Sequence, residues 1–218
     1  MSDRTLVVGD VHGCADELEA LLDRVGPDRV VLVGDLFTKG PHPERVWGRI
    51  RDSGFAAVLG NHDQRLLDVL DGARPHDVKA RRAVEALDHA DPGWQPFVRG
   101  LPLFLDLPRA PWPMTVVHAG LHPSGDRERT TRAMATTMRR WPDEADGDPF
   151  WWQVYQGEAG VVYGHDARRG LVRVERDGHP LVVGLDTGCV YGGKLSGWVV
   201  EGDEIVQVDA RQAWAPIH

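Results

Sequence analysis

Three short apolar runs in the first third of the chain each end in glycine followed by a carboxylate or carboxamide side chain. The three endings are Gly9-Asp10, Gly34-Asp35 and Gly60-Asn61. The runs are rich in apolar and β-branched residues, which is typical of strands buried on both faces of a sheet. Ligands bind at the carboxyl ends of the strands in open α/β sheets. We therefore expect these polar side chains to meet at one functional edge.

The segments between these runs have apolar residues at helical spacing. Leu18, Leu21, Leu22 and Val25 form one such pattern, which predicts a helix over residues 15–25. Further helices are predicted over residues 43–52, 63–70 and 77–89, and strands over residues 5–8, 29–33 and 55–59. This alternation indicates right-handed crossovers between neighbouring, mostly parallel strands.

The second half of the chain has short β segments and turn sequences such as Asp177-Gly178 and Glu201-Gly202. Strands are predicted over residues 101–107, 114–117, 160–163, 171–175, 180–185, 197–200 and 204–208, with a proline-rich turn over residues 108–113. The arginine-rich segment 126–141 is predicted to be a solvated helix face. The expected architecture is one α/β domain over residues 1–218. It has two packed mixed β-sheets flanked by helices, a βαβα N-terminal half and a β-rich C-terminal half.

The composition restricts the classes of partner. A net charge of −8 argues against a general affinity for nucleic acid or for an anionic membrane, so any phosphate binding has to be local. The two cysteines, Cys14 and Cys189, form no disulfide framework and fit a reducing cytoplasm. No apolar run approaches the ~20 residues that a membrane-spanning helix needs. We expect a cytoplasmic monomer.

The polar residues at the expected sheet edge are of types that bind transition metals. The set comprises Asp10, His12, Asp35, Asn61, His118 and His165. Carboxylate, carboxamide and imidazole ligands without a thiolate suit Mn²⁺, Fe²⁺ or Zn²⁺ better than a structural zinc site. Six ligands exceed what one ion needs, so two divalent ions about 3.5–4 Å apart with one shared carboxylate are the economical arrangement. The residues alone leave the choice among these metals open, with Co²⁺ and Ni²⁺ as further candidates.

Each of these residues has an ordinary structural explanation when it is taken alone. Asp10 would accept a hydrogen bond from a backbone amide while His12 faces solvent, and Asn61 would be a helix N-cap. His118 would be a core histidine. These explanations stay open for the single residues, whereas the recurrence at three strand ends favours a shared site.

A pair of metal ions would supply most of the chemistry of phosphoryl hydrolysis. It can deprotonate a bridging water, clamp phosphoryl oxygens and offset the negative charge of the transition state. Hydrolysis also needs a proton for the leaving oxygen. His62 is placed to supply it, oriented by Asp63 or another carboxylate.

Five segments taken in order resemble the motifs of the calcineurin-like metallophosphoesterases, and more closely those of the phosphoprotein phosphatase family. They are Gly9–Gly13, Gly34–Pro41, Gly60–Asp63, His118-Ala119-Gly120 and Gly164-His165. The resemblance runs from residue 5 to about residue 200 and implies a metallophosphoesterase sandwich with a di-metal centre. By motif position, Asp10 and His12 would hold the first metal, Asn61, His118 and His165 would hold the second, and Asp35 would bridge them. His62 would be the general acid, partnered by Asp63.

The departures from that family point to a subgroup. Thr38-Lys39 stands where protein serine/threonine phosphatases have Asp-Arg, and Asp63 stands where they usually have Glu. Lys39-Gly40-Pro41, Asn61-His62-Asp63 and the glycine-rich loop 186–193 instead resemble the diadenosine tetraphosphatases and the phosphatases named after them. Lysine keeps a point charge but loses the planar fork of arginine, which favours flexible polyanionic substrates. Lys39 and Tyr191 are therefore expected to bind substrate.

The expected function is a metallophosphatase that cleaves phosphoanhydride bonds by attack of a metal-bound hydroxide. Its substrates would be dinucleoside polyphosphates of the diadenosine tetraphosphate type, or short inorganic polyphosphates. A protein serine/threonine phosphatase is the alternative within the superfamily, and a non-catalytic metal-binding module is the alternative outside it. The sequence leaves open which arginine of the segment 127–140 reaches the site.

Overall fold

The structure is a computed structural model that describes residues 3–107, 110 and 112–216. Its strands are β1 (Thr5–Val8), β2 (Arg29–Leu32), β3 (Ala56–Ala57), β4 (Phe104–Asp106), β5 (Met114–Val117), β6 (Gly160–Tyr163), β7 (Val172–Arg176), β8 (His179–Gly184), β9 (Lys194–Val199) and β10 (Glu204–Asp209). Its α-helices are α1 (Ala15–Val25), α2 (Pro43–Ser53), α3 (Asn61–Leu70), α4 (Val78–Ala90), α5 (Trp94–Arg99) and α6 (Arg132–Thr137).

The first sheet has the strand order β10-β9-β1-β2-β3. The strands β1, β2 and β3 are parallel, as the strand–helix alternation predicts. β9 runs antiparallel to both β1 and β10. The C-terminal hairpin therefore pairs with the open edge of β1 and belongs to the N-terminal sheet. The division of the sequence into a βαβα half and a β-rich half therefore does not coincide with the division into two sheets.

The second sheet has the strand order β4-β5-β6-β8-β7. Its central strands β5, β6 and β8 are parallel, and the antiparallel strands β4 and β7 lie at its edges. Both sheets are thus mixed, and the predicted fold class of two mixed sheets with flanking helices is confirmed.

One apolar layer joins the inner faces of the two sheets. Val7 and Trp198 from the first sheet pack with Val116, Val162 and Val183 from the second. Alternate residues of each strand point to the opposite face. Leu6 and Val8 accordingly pack on the outer side against Leu18 and Leu21 of α1. Helices cover this outer face, so the parallel strands are buried on both sides as predicted.

Three predicted elements are much shorter in the structure. The strand predicted over residues 55–59 shrinks to Ala56–Ala57, because the amide of Leu59 already bonds the Pro102 carbonyl, outside the sheet. The strand predicted over 101–107 is Phe104–Asp106, and the helical segment predicted over 126–141 contains only Arg132–Thr137 as α-helix. Residues 108, 109 and 111 of the predicted proline-rich turn lie outside the described residues.

Among the helices in the described ranges, none is long and apolar enough to cross a membrane.

Candidate metal centre

The six predicted ligands lie together at the carboxyl ends of the parallel strands. Asp10 and His12 follow β1, Asp35 follows β2, and Asn61 begins α3 after β3. His118 and His165 follow β5 and β6 of the second sheet. Five of these residues are buried and Asn61 is half-buried. The site therefore lies where the ends of the two sheets meet.

The loops that carry these side chains have an unusual backbone. His12, Asp35, Lys39 and His165 have φ angles of 48°, 53°, 71° and 72°. Left-handed backbone in residues other than glycine costs of order 1–3 kcal/mol each and persists where the surroundings impose it. Four such residues in one cluster indicate that packing fixes the loops for a function other than stability.

His118 directs one ring nitrogen toward the centre of the site. Its Nδ1 lies 2.8 Å from the Val33 carbonyl oxygen, so we assign the proton of the neutral ring to Nδ1, which donates to this carbonyl. Nε2 then carries the lone pair and lies 3.1 Å from Asn61 Oδ1 and 3.4 Å from Asp35 Oδ1. Three acceptor atoms thus face one another.

His165 repeats this arrangement from the other side. Its Nε2 donates to the Thr137 carbonyl at 3.1 Å, which leaves Nδ1 as the acceptor 3.2 Å from Asn61 Oδ1. Histidine ligands of metals usually donate their outer N–H to a carbonyl or carboxylate. Two imidazole lone pairs converge on the Asn61 oxygen, and the Asp35 carboxylate lies beside one of them, an arrangement that fits a cation. The residues present therefore fit a divalent metal.

Asp35 also lies beside Asp10 and His12, on the other side of the centre from His118 and His165. His12 Nε2 lies 3.5 Å from Asp35 Oδ2 and 4.0 Å from Asp10 Oδ2. The amide of His165 donates to Asp10 at 3.1 Å, which ties this carboxylate to the second sheet. Asp35 belongs both to a group with His12 and to a group with Asp10 and His118, each with ligand atoms within 4.8 Å of one another. That is the position expected of a shared ligand.

Burial controls the protonation of the centre. It lowers the pKa of His12 and of His165 well below the usual value, so both imidazoles are neutral, the form that binds metals. Burial, together with Asp186 and Asp35, raises the pKa of Asp10. Burial acts the same way on Asp35, but the positive charges that the neighbouring histidines carry when protonated, together with the Lys39 ammonium, outweigh it and lower the pKa of that carboxyl.

The two residues predicted to bind substrate contact each other beside the candidate ligands. Lys39 Nζ donates to the Tyr191 hydroxyl at 2.7 Å and lies 3.1 Å from His12 Nε2. Burial lowers the pKa of Lys39, while the carboxylates of Asp35 and Asp10 oppose that effect. This places a cation and a hydroxyl donor at the rim of the centre.

His62 lies next to the centre, at the second position of α3. Its amide donates to Asp35 Oδ1 at 2.8 Å, and its ring packs edge-on against His12 with 5.0 Å between the ring centroids. Burial lowers the pKa of His62 to about 4, and Lys39 and Arg65 also lower it, against Asp35. A ring nitrogen of His62 is also close enough to His12 and Asp35 to join them as a ligand.

Asp63 does not partner His62, and this part of the prediction is wrong. Its Oδ2 accepts from the amides of Asp35 and Gly60 at 2.8 and 3.1 Å, and its Oδ1 accepts from the amide of Leu36 at 2.9 Å. Both oxygens are therefore engaged by the backbone of the two loops that carry Asp35 and Asn61. Burial, with the nearby Asp35 charge, raises the pKa of Asp63 to about 7. Asp63 positions the ligand loops.

Residues 3–184 match the family model described as calcineurin-like phosphoesterase. The chain belongs to this family. A symmetrical bis(5'-nucleosyl)-tetraphosphatase of Thioalkalivibrio sulfidiphilus is 38% identical over 62% of this chain and 53% of the relative. The asymmetrical bis(5'-nucleosyl)-tetraphosphatase PrpE of Halalkalibacterium halodurans is 29% identical over 94% of each chain. A crystal structure solved as a candidate diadenosine tetraphosphatase has a TM-score of 0.81 and 35% identity, over 96% of this chain and 95% of the other.

This phosphoesterase spans about half the length of the symmetrical relative and nearly the whole length of the asymmetrical one. The resemblance to tetraphosphatases that the residues around Lys39, Asn61 and the loop 186–193 indicate is confirmed by these matches.

Two further residues of this phosphoesterase reach the site, and the sequence does not single out either of them. Asp186 is 6% exposed and close enough to Asp10 to raise its pKa, and burial raises the pKa of Asp186 to about 7. It follows an apolar strand, so the strand-end pattern could have found it. Arg139 Nη2 lies 3.5 Å from the His165 carbonyl, and its Nε lies 3.7 Å from Asp166. No local signal separates Arg139 from the other arginines of its segment.

The two cysteines form a separate buried group with Glu17. Their sulfur atoms and a Glu17 carboxylate oxygen lie within 4.8 Å of one another. Both cysteines belong to the apolar cluster between the first sheet and its helices, and they are free thiols. They contribute packing at the back of the loops that carry His12 and Tyr191.

Proposed function

We propose that this phosphoesterase hydrolyses phosphoanhydride bonds in dinucleoside polyphosphates of the diadenosine tetraphosphate type, or in short inorganic polyphosphates. The observation that carries the proposal is the convergence of the His118 and His165 lone pairs on Asn61 Oδ1, with the Asp35 carboxylate 3.4 Å from His118 Nε2. The names of the similar bacterial proteins given above, which are tetraphosphatases, support an anhydride substrate over a phosphoprotein.

The chain's own residues would hold two divalent ions, with Mn²⁺ as the first choice. Asp10 and His12 would bind one ion, Asn61, His118 and His165 the other, and Asp35 both. Ions bound in this way supply an activated water nucleophile and positive charge on the phosphoryl oxygens. The donor set of oxygens and neutral imidazoles supports Mn²⁺, Fe²⁺ or Zn²⁺.

The remaining side chains bind substrate and move the proton. The Lys39 ammonium and the Tyr191 hydroxyl, 2.7 Å apart, would donate to one phosphoryl oxygen. Lys39 is a compact charge, so it tolerates the varied orientations of a flexible polyphosphate. His62, held through its backbone amide by Asp35, would protonate the leaving oxygen.

A turnover panel with Mn²⁺ tests this proposal. It compares diadenosine tetraphosphate, tripolyphosphate, a phosphopeptide and p-nitrophenyl phosphate at equal concentration. We expect kcat/KM for the two anhydrides to exceed that for the phosphopeptide by at least tenfold. The products give the cleaved bond, because cleavage of the central anhydride yields two ADP and cleavage of an outer one yields AMP and ATP. Faster turnover of the phosphopeptide would replace this function with that of a protein phosphatase.

We also propose that residues 1–218 act as one domain and as a monomer in the cytoplasm. The apolar layer shared by the two sheets supports a single domain. The net charge of −8 supports the absence of a nucleic-acid surface. Sedimentation equilibrium with and without Mn²⁺ tests the monomer.

A further inference from the structure

Arg65 lies on the face of α3 that borders the candidate metal centre. In an α-helix each residue is rotated by about 100° from the one before, so Arg65 falls about 40° from Asn61 and about 60° from His62. Residues three or four apart on a helix have Cβ atoms about 5–6 Å apart. Arg65 is therefore the next side chain beyond the proposed ligand Asn61 and the proposed proton donor His62.

In the described part of the chain, no carboxylate pairs with Arg65. Asp68 lies three positions further along the helix, and its two oxygens are engaged by Gln64 at 3.0 Å and by Arg74 at 3.0 Å. Both oxygens of Asp63 are engaged by backbone amides. Arg65 is half-buried, so its guanidinium is a cation partly withdrawn from water without a compensating charge.

Lys39 is a second cation on this side of the centre. Its Nζ lies 3.1 Å from His12 Nε2, and the His12 ring packs against the His62 ring with 5.0 Å between the centroids. An anion that binds both Arg65 and Lys39 would therefore neutralise two positive charges beside His62.

We propose that Arg65 binds the phosphate of the leaving group, the one attached to the oxygen that His62 protonates. This proposal rests on the proposed function. In a phosphoanhydride the leaving oxygen belongs to a second phosphate, whose other oxygens are close to it. Arg65 is one helical turn from His62, so its planar fork can bind two of those oxygens. A phosphate monoester has no phosphate on its leaving group, and Arg65 therefore selects anhydrides over esters.

The test compares Arg65→Gln and Arg65→Lys with the native protein, using Arg82→Gln on the exposed face of α4 as the matched control. A hydrogen-bonded charge pair is worth about 1.5–3 kcal/mol, so we expect Arg65→Gln to lower kcat/KM for diadenosine tetraphosphate by about 10–100-fold. The loss for p-nitrophenyl phosphate should be less than about threefold, because its leaving group is not phosphorylated. For diadenosine tetraphosphate, kcat/KM of Arg65→Lys should lie between the values of Arg65→Gln and the native protein. Arg82→Gln should match the native protein on both substrates.

Binding gives a readout that does not depend on turnover. By calorimetry, Arg65→Gln should weaken binding of a methylene-bridged, non-hydrolysable diadenosine tetraphosphate about tenfold or more. Binding of inorganic phosphate, which occupies only the transferred position, should change much less. Thermal melts of each variant establish that it is folded.

Two outcomes would overturn the assignment of Arg65. Equal losses on both substrate classes would mean that Arg65 supports the centre as a whole, and no loss on either would mean that it binds no phosphate. If the native protein turns over p-nitrophenyl phosphate but neither anhydride, it is the proposed function that fails. Tripolyphosphate binding then decides on Arg65 separately, since its loss in Arg65→Gln supports the phosphate contact and its retention refutes it.

Discussion

Replacing Gly34 with alanine tests how tightly the loop that carries Asp35 is packed. Gly34 has a φ of 97°, and a Cβ built on it would lie 2.7 Å from the Gly60 nitrogen and 2.9 Å from His118 Nδ1. A left-handed backbone costs an L-residue about 1–2 kcal/mol, and overpacking against atoms that cannot move adds about 1–3 kcal/mol. We therefore expect Gly34→Ala to lower the free energy of unfolding by about 2–5 kcal/mol.

The matched control is Gly26→Ala at the end of α1. Gly26 has a φ of 59°, and among the described residues, apart from its two chain neighbours, no atom lies within 4 Å of a Cβ built there. For Gly26→Ala we therefore expect only the cost of a left-handed backbone, about 1–2 kcal/mol. In a protein of this size each kcal/mol lowers Tm by about 2–4 °C, which gives decreases of about 2–8 °C for Gly26→Ala and about 4–20 °C for Gly34→Ala.

The two variants should differ more in metal binding than in stability. The added methyl at residue 34 displaces His118 from the Val33 carbonyl and shifts Asp35, the next residue, whereas Gly26 lies at the far end of α1. Thermal melts in chelator and over a Mn²⁺ titration measure this, because a metal that binds only the folded protein raises Tm as its concentration passes Kd. We expect a normal rise for Gly26→Ala and a reduced rise for Gly34→Ala. Equal melting temperatures and equal rises for the two variants would refute the packing argument.

Two further substitutions test single contacts. Asp35→Asn should weaken both metal sites at once, because Asp35 faces His12 on one side and His118 on the other. Elemental analysis of the variant should find less than one Mn²⁺ per chain. Loss of only one of two ions would mean that the carboxylate is not shared. Lys39→Ala should reduce kcat/KM for anhydrides about 10–100-fold through loss of a charged hydrogen bond, while the metal content stays unchanged. Unaltered kinetics would mean that Lys39 does not bind substrate.

The positions of the proposed ligands could be predicted because the signal for each is local. An apolar run followed by glycine marks the end of a buried strand, and neighbouring parallel strands bring such ends together whatever the rest of the chain does. Asp10, Asp35 and Asn61 follow from that rule alone. The hairpin β9–β10 could not be placed in this way, because its choice between the edge of β1 and the second sheet depends on pairing across nearly the whole chain.

Asp63 shows why adjacency in sequence misleads at a site. The sequence predicts its neighbour His62 as the partner, but successive residues at the start of a helix point about 100° apart. The carboxylate instead reaches back to Gly60 and across to Asp35 and Leu36, which are 28 and 27 positions away in the chain. Arg65 has no signal in the sequence for the opposite reason. Arg65 differs from other arginines because no free carboxylate lies near it within the described structure. This becomes visible only when Asp68 is seen to pair with other side chains.

Two roles for His62 fit its position. As a metal ligand it would join His12 and Asp35, since ligand atoms of the three residues lie within 4.8 Å of one another. As a general acid it would face the leaving oxygen, and its proton would be favoured by the negative charge of a bound polyphosphate. We expect the second role, because six other residues already supply the donors that two ions need.

Substitution of His62 by asparagine separates the two roles. A general acid contributes about 10²–10⁴-fold, so His62→Asn should lower kcat by that factor on diadenosine tetraphosphate, whose leaving group needs a proton. The p-nitrophenolate leaving group needs little protonation, so p-nitrophenyl phosphate should be affected far less. Both metals should stay bound, and His89→Asn, an exposed histidine on α4, should behave as the native protein does. Loss of one ion in His62→Asn would make His62 a ligand, and equal losses on the two substrates would exclude it as the proton donor.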